Sequence, residues 1–216
     1  MTENLYYNTV SNNLLEVLRK IMGAKEFAFF RMVGGTTLSL QRGHRMSIDI
    51  DMFTDSPYGS LDFSVLEKYL QSAFAYTNSN DYSVAGMGKS FRVGSDKMQS
   101  IKLDVYYTDA FIRPSLTVDG IRMAHVEDII AMKLDIISRG GRKKDFWDLH
   151  ELTQEYTLDQ MLALHEERHP YTHEEKVIKA NFTNFDIADA EIDPHCLRGK
   201  HWEVIKLDMV DFVKGV

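Results

Sequence analysis

Apolar residues recur at helical spacing from Asn12 to Met22, where Leu14, Leu15, Leu18 and Ile21 share one face and Gly23 supplies a stop. Phe27 to Val33 reads as a buried strand that runs into Gly34-Gly35, and a short helix over Thr36–Gln41 follows. Ile48-Asp-Ile-Asp-Met-Phe alternates with period two, as a strand with one buried face does. Ser60 to Ala75 predicts a helix capped by Ser60, with Phe63, Leu66, Tyr69 and Leu70 turned to a core. From Tyr82 to Tyr107 the pattern is strand-like, and it closes on a second period-two run, Ser100-Ile-Lys-Leu-Asp-Val-Tyr-Tyr. Beyond about Gly120 the chain turns helical. Val126–Ser138 and Lys144–Glu155 are separated by Gly140-Gly141, and Leu158–His169, Thr172–Asn181 and Trp202–Val213 continue the run. The expected fold class is α+β: a small mixed sheet with flanking helices over residues 1–120, then a C-terminal helical region over residues 121–216.

Composition narrows the function classes. The 216 residues are 44% hydrophobic and 26% charged, enough for one compact core with a packed extension. The longest apolar run, at Phe27–Phe30, is far too short for a bilayer, and the N-terminus has no signal-peptide pattern, so a membrane role is not expected. A single cysteine, Cys196, excludes an intrachain disulfide and makes a reducing, cytoplasmic setting the expectation. The formal net charge of −7 excludes a uniformly basic surface, so any contact with nucleic acid must be local.

Candidate chemistry begins with Asp49 and Asp51. Two apart on a strand, they leave the same face and repel each other unless a cation lies between them. Magnesium, a hard ion that takes oxygen ligands and keeps substrate phosphate oxygens in its shell, suits that arrangement, with manganese as an alternative. An Asp-X-Asp can equally face solvent on an edge strand, with Ile48, Ile50 and Met52 to the core. Two neighbours favour the chemical reading. Gly34-Gly35 opens the helix at Thr36, where glycines admit a ligand close to the backbone and unpaired N–H groups meet phosphate. Asp104, on the second period-two strand, offers a third carboxylate, which in two-metal transfer chemistry ligates the activating ion or acts as base. A cationic turn, Arg139, Arg142, Lys143 and Lys144, is a candidate phosphate-binding patch for an acceptor, or else a solvated turn near a helix end.

Gly34-Gly-Thr-Thr-Leu-Ser-Leu and Gly43-His-Arg-Met-Ser-Ile-Asp-Ile-Asp-Met-Phe resemble the first motif of the AbiEii/AbiGii-type toxins, in the polymerase-beta-like nucleotidyltransferase superfamily. Ile101-Lys-Leu-Asp-Val, Lys133-Leu134 and Arg142-Lys-Lys-Asp-Phe-Trp-Asp-Leu extend the resemblance over roughly residues 30 to 155. It implies a nucleotidyltransferase core that moves a nucleoside monophosphate from a nucleoside triphosphate to a hydroxyl. The implied acceptor is RNA, a tRNA end among the candidates, and the implied role is that of the toxin in a toxin–antitoxin or abortive-infection system, with a cognate antitoxin as partner. By the same resemblance Gly34, Gly35 and Thr36 hold the triphosphate, Ser47 stands beside them, and Asp49, Asp51 and Asp104 are metal ligands. Lys133 contacts nucleotide phosphate, and Asp145 returns to the active site from the helical region. Two other readings stand beside it: transfer to a small molecule of the aminoglycoside kind, and a binding protein that keeps the fold without catalysis.

From the residues alone, Lys133 lies beside the apolar stripe Ile129, Ile130, Leu134 and Ile137, where a lysine can snorkel to solvent instead. Phe146, Leu149 and Leu152 read as core, and Asp145 and Asp148 as possible first-turn helix acids. His165-Glu-Glu-Arg-His169 matches H-E-x-x-H, but Pro170 disfavours helical geometry at His169, so a zinc protease is not the expectation. Gly88-Lys-Ser lacks the first glycine of a P-loop.

Overall fold

The computed structural model describes residues 4–80 and 86–215. Its centre is a mixed sheet of seven strands: β1 (Arg31–Val33), β2 (Asp49–Thr54), β3 (Tyr76–Asn80), β4 (Gly88–Gly94), β5 (Ser100–Tyr107), β6 (Leu116–Val118) and β7 (Ile121–Met123). Their order is β3-β4-β5-β2-β1-β7-β6. The two period-two runs, β2 and β5, lie side by side and parallel, while β1 crosses β2 antiparallel. Alternation sorts their two faces. Ile50, Met52, Leu103 and Val105 are buried on one side, and Asp49, Asp51, Lys102 and Asp104 stand on the other.

The apolar face packs on two helices, α1 (Asn12–Met22) and α3 (Phe63–Ala73), through Leu14, Leu18, Ile21, Leu66 and Leu70. Ser11 caps α1 by accepting from the Leu14 N–H at 3.1 Å. The cap of α3 is Asp62, whose carboxylate accepts from Ser64 N–H at 2.8 Å, so the helix begins two residues later than a Ser60 cap predicts. The segment from Phe27 also departs from its pattern. Lys25–Phe27 forms a 3-10 turn, and the strand is confined to Arg31–Val33. A three-residue turn spacing sends Phe27 and Phe30 together into the core and leaves Phe29 66% exposed. Of the strand-like stretch from Tyr82, residues 82–85 lie outside the described residues, and β4 and β5 account for most of the remainder.

The second apolar cluster is helical. It joins α2 (Gly34–Arg42), α4 (Val126–Ile137), α5 (Lys143–Leu152), α6 (Leu158–Arg168), α7 (Glu175–Asn181), α8 (Asp186–Asp189) and α9 (Trp202–Lys214). Ile129, Ile130, Leu134, Ile137, Phe146, Leu149 and Leu152 are all fully buried there, as their spacing predicts. Trp147 stacks on Trp202 at 6.3 Å, tying α5 to α9. The hairpin β6–β7, which the hydrophobic pattern does not announce, turns at Asp119-Gly120, both in the left-handed region (φ 51° and 77°). Through Met32 and Met123 it extends the sheet beside β1. No helix among the described residues is long and apolar enough to cross a membrane.

Candidate active site

The polar face of β2 and β5 and the helical cluster enclose a cavity of about 590 Å³. That size lies within the range of small-ligand sites. Asp49, Asp51 and Asp104 all line it. Asp51 and Asp104 are direct cross-strand partners in the parallel register, so three carboxylates converge on one patch. Burial first, and then the charges of Asp104 and Asp49, push the Asp51 carboxyl up to about 6. One cation answers them: Lys102 pairs with Asp104 through its Oδ2, and although burial works against the ammonium, the bond to Asp104 holds its pKa above the usual lysine range. The other oxygen of Asp104, Oδ1, is buried with no hydrogen-bond partner.

The start of α2 forms the adjoining wall. Gly34 has a positive φ of 71°, and a Cβ there would stand 2.6 Å from Asp51 Oδ2. A Cβ on Gly35 would stand 2.2 Å from Arg45 Nη2. Each glycine therefore permits a close approach that alanine would block. No side chain caps this helix, so its first N–H groups remain available. Thr36 Oγ1 lies 2.7 Å from Ser47 Oγ and donates to the Asp49 carbonyl, which fastens the helix start to the start of β2.

Opposite the carboxylates lies a chain of buried charges. Arg45 grips Asp148 with two parallel bonds, Nε to Oδ1 at 2.6 Å and Nη2 to Oδ2 at 2.8 Å. His44 Nε2 lies 2.7 Å from Asp148 Oδ1. Lys133 Nζ sits between Asp145 (2.7 Å) and Asp148 (2.6 Å), buried instead of snorkelling. Arg142 closes the chain with Nε 2.8 Å from Asp145 Oδ2. Burial opposes ionisation of both carboxyls, yet the cations prevail: Arg45 and Lys133 hold Asp148 well below the usual range, and Lys133 and Arg142 lower Asp145.

All five residues read as catalytic from the sequence, Asp49, Asp51, Asp104, Lys133 and Asp145, thus line one cavity, together with Gly34, Gly35, Thr36 and Ser47. The cationic turn divides. Arg142 and Lys144 line the cavity. Arg139 points away to Asp135, at 2.6 Å. Lys143 is buried elsewhere, held by the Glu191 carbonyl and by Asp193 Oδ1 at 2.8 Å, and does not line the cavity.

Three features escape sequence reasoning. Arg45, His44 and Asp148 lie within the motif blocks, but nothing in the chain announces a pairing across about a hundred residues. Lys102 precedes Asp104 by two and so shares its face, a signal present in the alternation. The third is a wall formed by Glu191, Ile192, Pro194 and His195. Main-chain bonds hold it: Met46 N–H donates to the His195 carbonyl at 2.9 Å, and Leu197 N–H to that of His44 at 2.9 Å.

Solved structures share this arrangement of elements. A protein of Helicobacter pylori regarded as a nucleotidyltransferase superposes with a TM-score of 0.62 at 20% identity, over 94% of this chain and 92% of that one. MenT4, a nucleotidyltransferase toxin of Mycobacterium tuberculosis, superposes with a TM-score of 0.57 at 15% identity, over 94% and 84%. At these identities the likeness is one of fold. An uncharacterized protein of Aquifex aeolicus is 27% identical over 176 residues, 80% of this chain and 76% of its own length. The profile of the nucleotidyl transferase AbiEii toxins of type IV toxin–antitoxin systems matches residues 16–214. The chain belongs to the AbiEii toxin family of nucleotidyltransferases.

Proposed function

We propose that the protein transfers a nucleoside monophosphate from a nucleoside triphosphate to a hydroxyl of RNA, a tRNA end being the favoured acceptor, as the toxin of a toxin–antitoxin or abortive-infection pair. The observation that carries this reading is the convergence of Asp49, Asp51 and Asp104 beside the uncapped start of α2. In this division of labour residues 1–120 supply the carboxylates and the phosphate cradle, and residues 121–216 supply Lys133 and Asp145.

The donor set fits a hard divalent cation. Three carboxylates lie together, Asp51 is destabilised as an anion, and Asp104 Oδ1 is an orphaned buried acceptor. Asp49, Asp51 and Asp104 would hold magnesium or manganese, which when bound neutralises charge on the phosphates and lowers the pKa of an attacking hydroxyl. The chain's own groups do the rest. The first N–H groups of α2 and the cations Arg142 and Lys144 bind the triphosphate and neutralise its charge. Gly34 leaves room for phosphate against Asp51, and Gly35 leaves room for Arg45. The acceptor hydroxyl loses its proton to water as its oxygen bonds the α-phosphorus. The bond from that phosphorus to the bridging oxygen breaks, and pyrophosphate leaves. Asp145 positions Arg142 and Lys133, while Asp148 positions Arg45. The reaction draws on cytoplasmic nucleotides, and a cognate antitoxin is the expected partner.

Incubation with each α-labelled nucleoside triphosphate, magnesium and total tRNA tests the proposal. Label on RNA is expected, to be lost in Asp49→Ala. Label confined to small molecules such as aminoglycosides would replace the RNA acceptor, and equal labelling of RNA by Asp49→Ala would overturn the site.

A further inference from the structure

Outside the catalytic cavity a second constellation remains unused. Asp135 on α4, His165 on α6 and His169 at the end of α6 each offer a ligand atom, and these atoms lie within 4.8 Å of one another. None of the three lines the catalytic cavity. His165 is fully buried, and its Nε2 has no hydrogen-bond partner. Nε2 of His169 is likewise buried and unpartnered. An orphaned ring nitrogen costs about 1–3 kcal/mol, and two orphans on adjacent rings, centroids 5.0 Å apart, are costly without a shared ligand.

The other nitrogen of His165 is engaged. His165 Nδ1 lies 2.9 Å from His173 Nδ1, so one of them carries the proton. A proton on His165 Nδ1 leaves its Nε2 with a bare lone pair. His169 Nδ1 lies 3.8 Å from Asp109 Oδ2, an ion-pair distance beyond hydrogen-bond reach. Arg139 takes one oxygen of Asp135, at 2.6 Å, and leaves the other.

We propose that Asp135, His165 and His169 bind a borderline divalent transition metal of the zinc class, which clips α4 to the end of α6. Two imidazoles and a carboxylate form a donor set suited to zinc, and ligands at about 2.0–2.2 Å would stand about 3.3 Å apart at tetrahedral angles, a small closure of the observed cluster. The site is not that of a zincin. His169 has left the helix (φ −124°, ψ 55°), Glu166 is exposed, and the third ligand comes from another helix. The metal is structural. It fixes α4, the helix that also carries Lys133.

The experiment uses tag-free chain stripped by chelator and titrated with zinc against a chromophoric competitor. It is run in the Asp49→Asn/Asp51→Asn background, so that the catalytic carboxylates cannot report. About one zinc per chain is expected, with a rise in melting temperature, and cobalt should give the ligand-field absorption of a four-coordinate site. His169→Gln and Asp135→Asn, checked for native circular dichroism, should each weaken zinc by at least about tenfold, and Glu166→Gln should leave it unchanged. Absence of binding in this background, or equal binding by His169→Gln and Asp135→Asn, would overturn the site. Loss of binding in Glu166→Gln would do so as well, because it would point to the protease arrangement. If either ligand variant misfolds, the cobalt spectrum of the background chain decides alone: bands of nitrogen ligation support the site, and an all-oxygen spectrum refutes it.

Discussion

Asp51 carries an electrostatic burden that Lys102 and Lys144 only partly relieve. Its folded pKa, about 6, exceeds the ordinary value of 3.8, so between those two values the folded chain binds more protons than the unfolded one. Stability of the metal-free protein therefore declines as pH rises from about 4 to about 6 and then levels off. A divalent cation competes with that proton. Titration with manganese should show affinity that is weaker at about pH 5 than at about pH 7, and equal affinities would refute the assignment of Asp51 as a ligand. Asp51→Asn should separate stability from function: it stabilises the metal-free chain by about 1 kcal/mol, read by denaturant melts, while transfer falls roughly a hundredfold or more. Asp148 obeys the opposite logic, because its charge is fully used. Its removal in Asp148→Ala strands Arg45 and Lys133 in the interior and should cost about 3–5 kcal/mol, whereas Asp148→Asn keeps some of the hydrogen bonds and should cost less. At this scale the sequence is legible where a residue's placement follows from its own strand, as for Asp49, Asp51 and Asp104, which line one cavity. It is silent on Asp148, whose meaning comes from partners such as Arg45, 103 positions away.

Among elements, register does most of the work. Parallel pairing of β2 with β5 sets Asp51 against Asp104, and period-two alternation then decides which face is wet. Both strands could be read in advance because a half-buried strand writes its burial into its sequence. Phe27–Val33 misleads for the same reason reversed: an apolar run states that residues are buried but not with which period, and here a 3-10 turn ends on Phe27 and the strand starts only at Arg31. The hairpin β6–β7 has strands of only three residues, too short for their alternation to stand out, although its Asp119-Gly120 turn carries a recognisable signature. The wall at Glu191–His195 has no pattern of its own, since it is irregular chain pinned by Lys143 and by main-chain bonds to residues 44 and 46. Lys143→Ala should loosen that wall and raise KM for the nucleotide roughly tenfold with kcat nearly kept; a collapse of kcat at constant KM would place Lys143 in the chemistry instead.

For the whole molecule, one apolar cluster lies beneath the sheet and the other among the helices, and the helical one borders the cavity. The overall charge of −7 with few cations at the cavity mouth implies weak, contact-limited attraction for a polyanion. If Arg142 and Lys144 are the principal phosphate contacts, the logarithm of RNA affinity should fall with the logarithm of salt at a slope of roughly −1 to −2, measured by filter binding. A much steeper slope would reveal a larger basic track. The late wall has a further consequence, in time instead of space. Translation delivers the Asp49–Asp51 strand early and Glu191–His195 late, so a growing chain shorter than about residue 195 lacks one side of the cavity. A ribosome making this toxin therefore holds an incomplete enzyme for most of each round of synthesis, and premature termination yields fragments without a closed site.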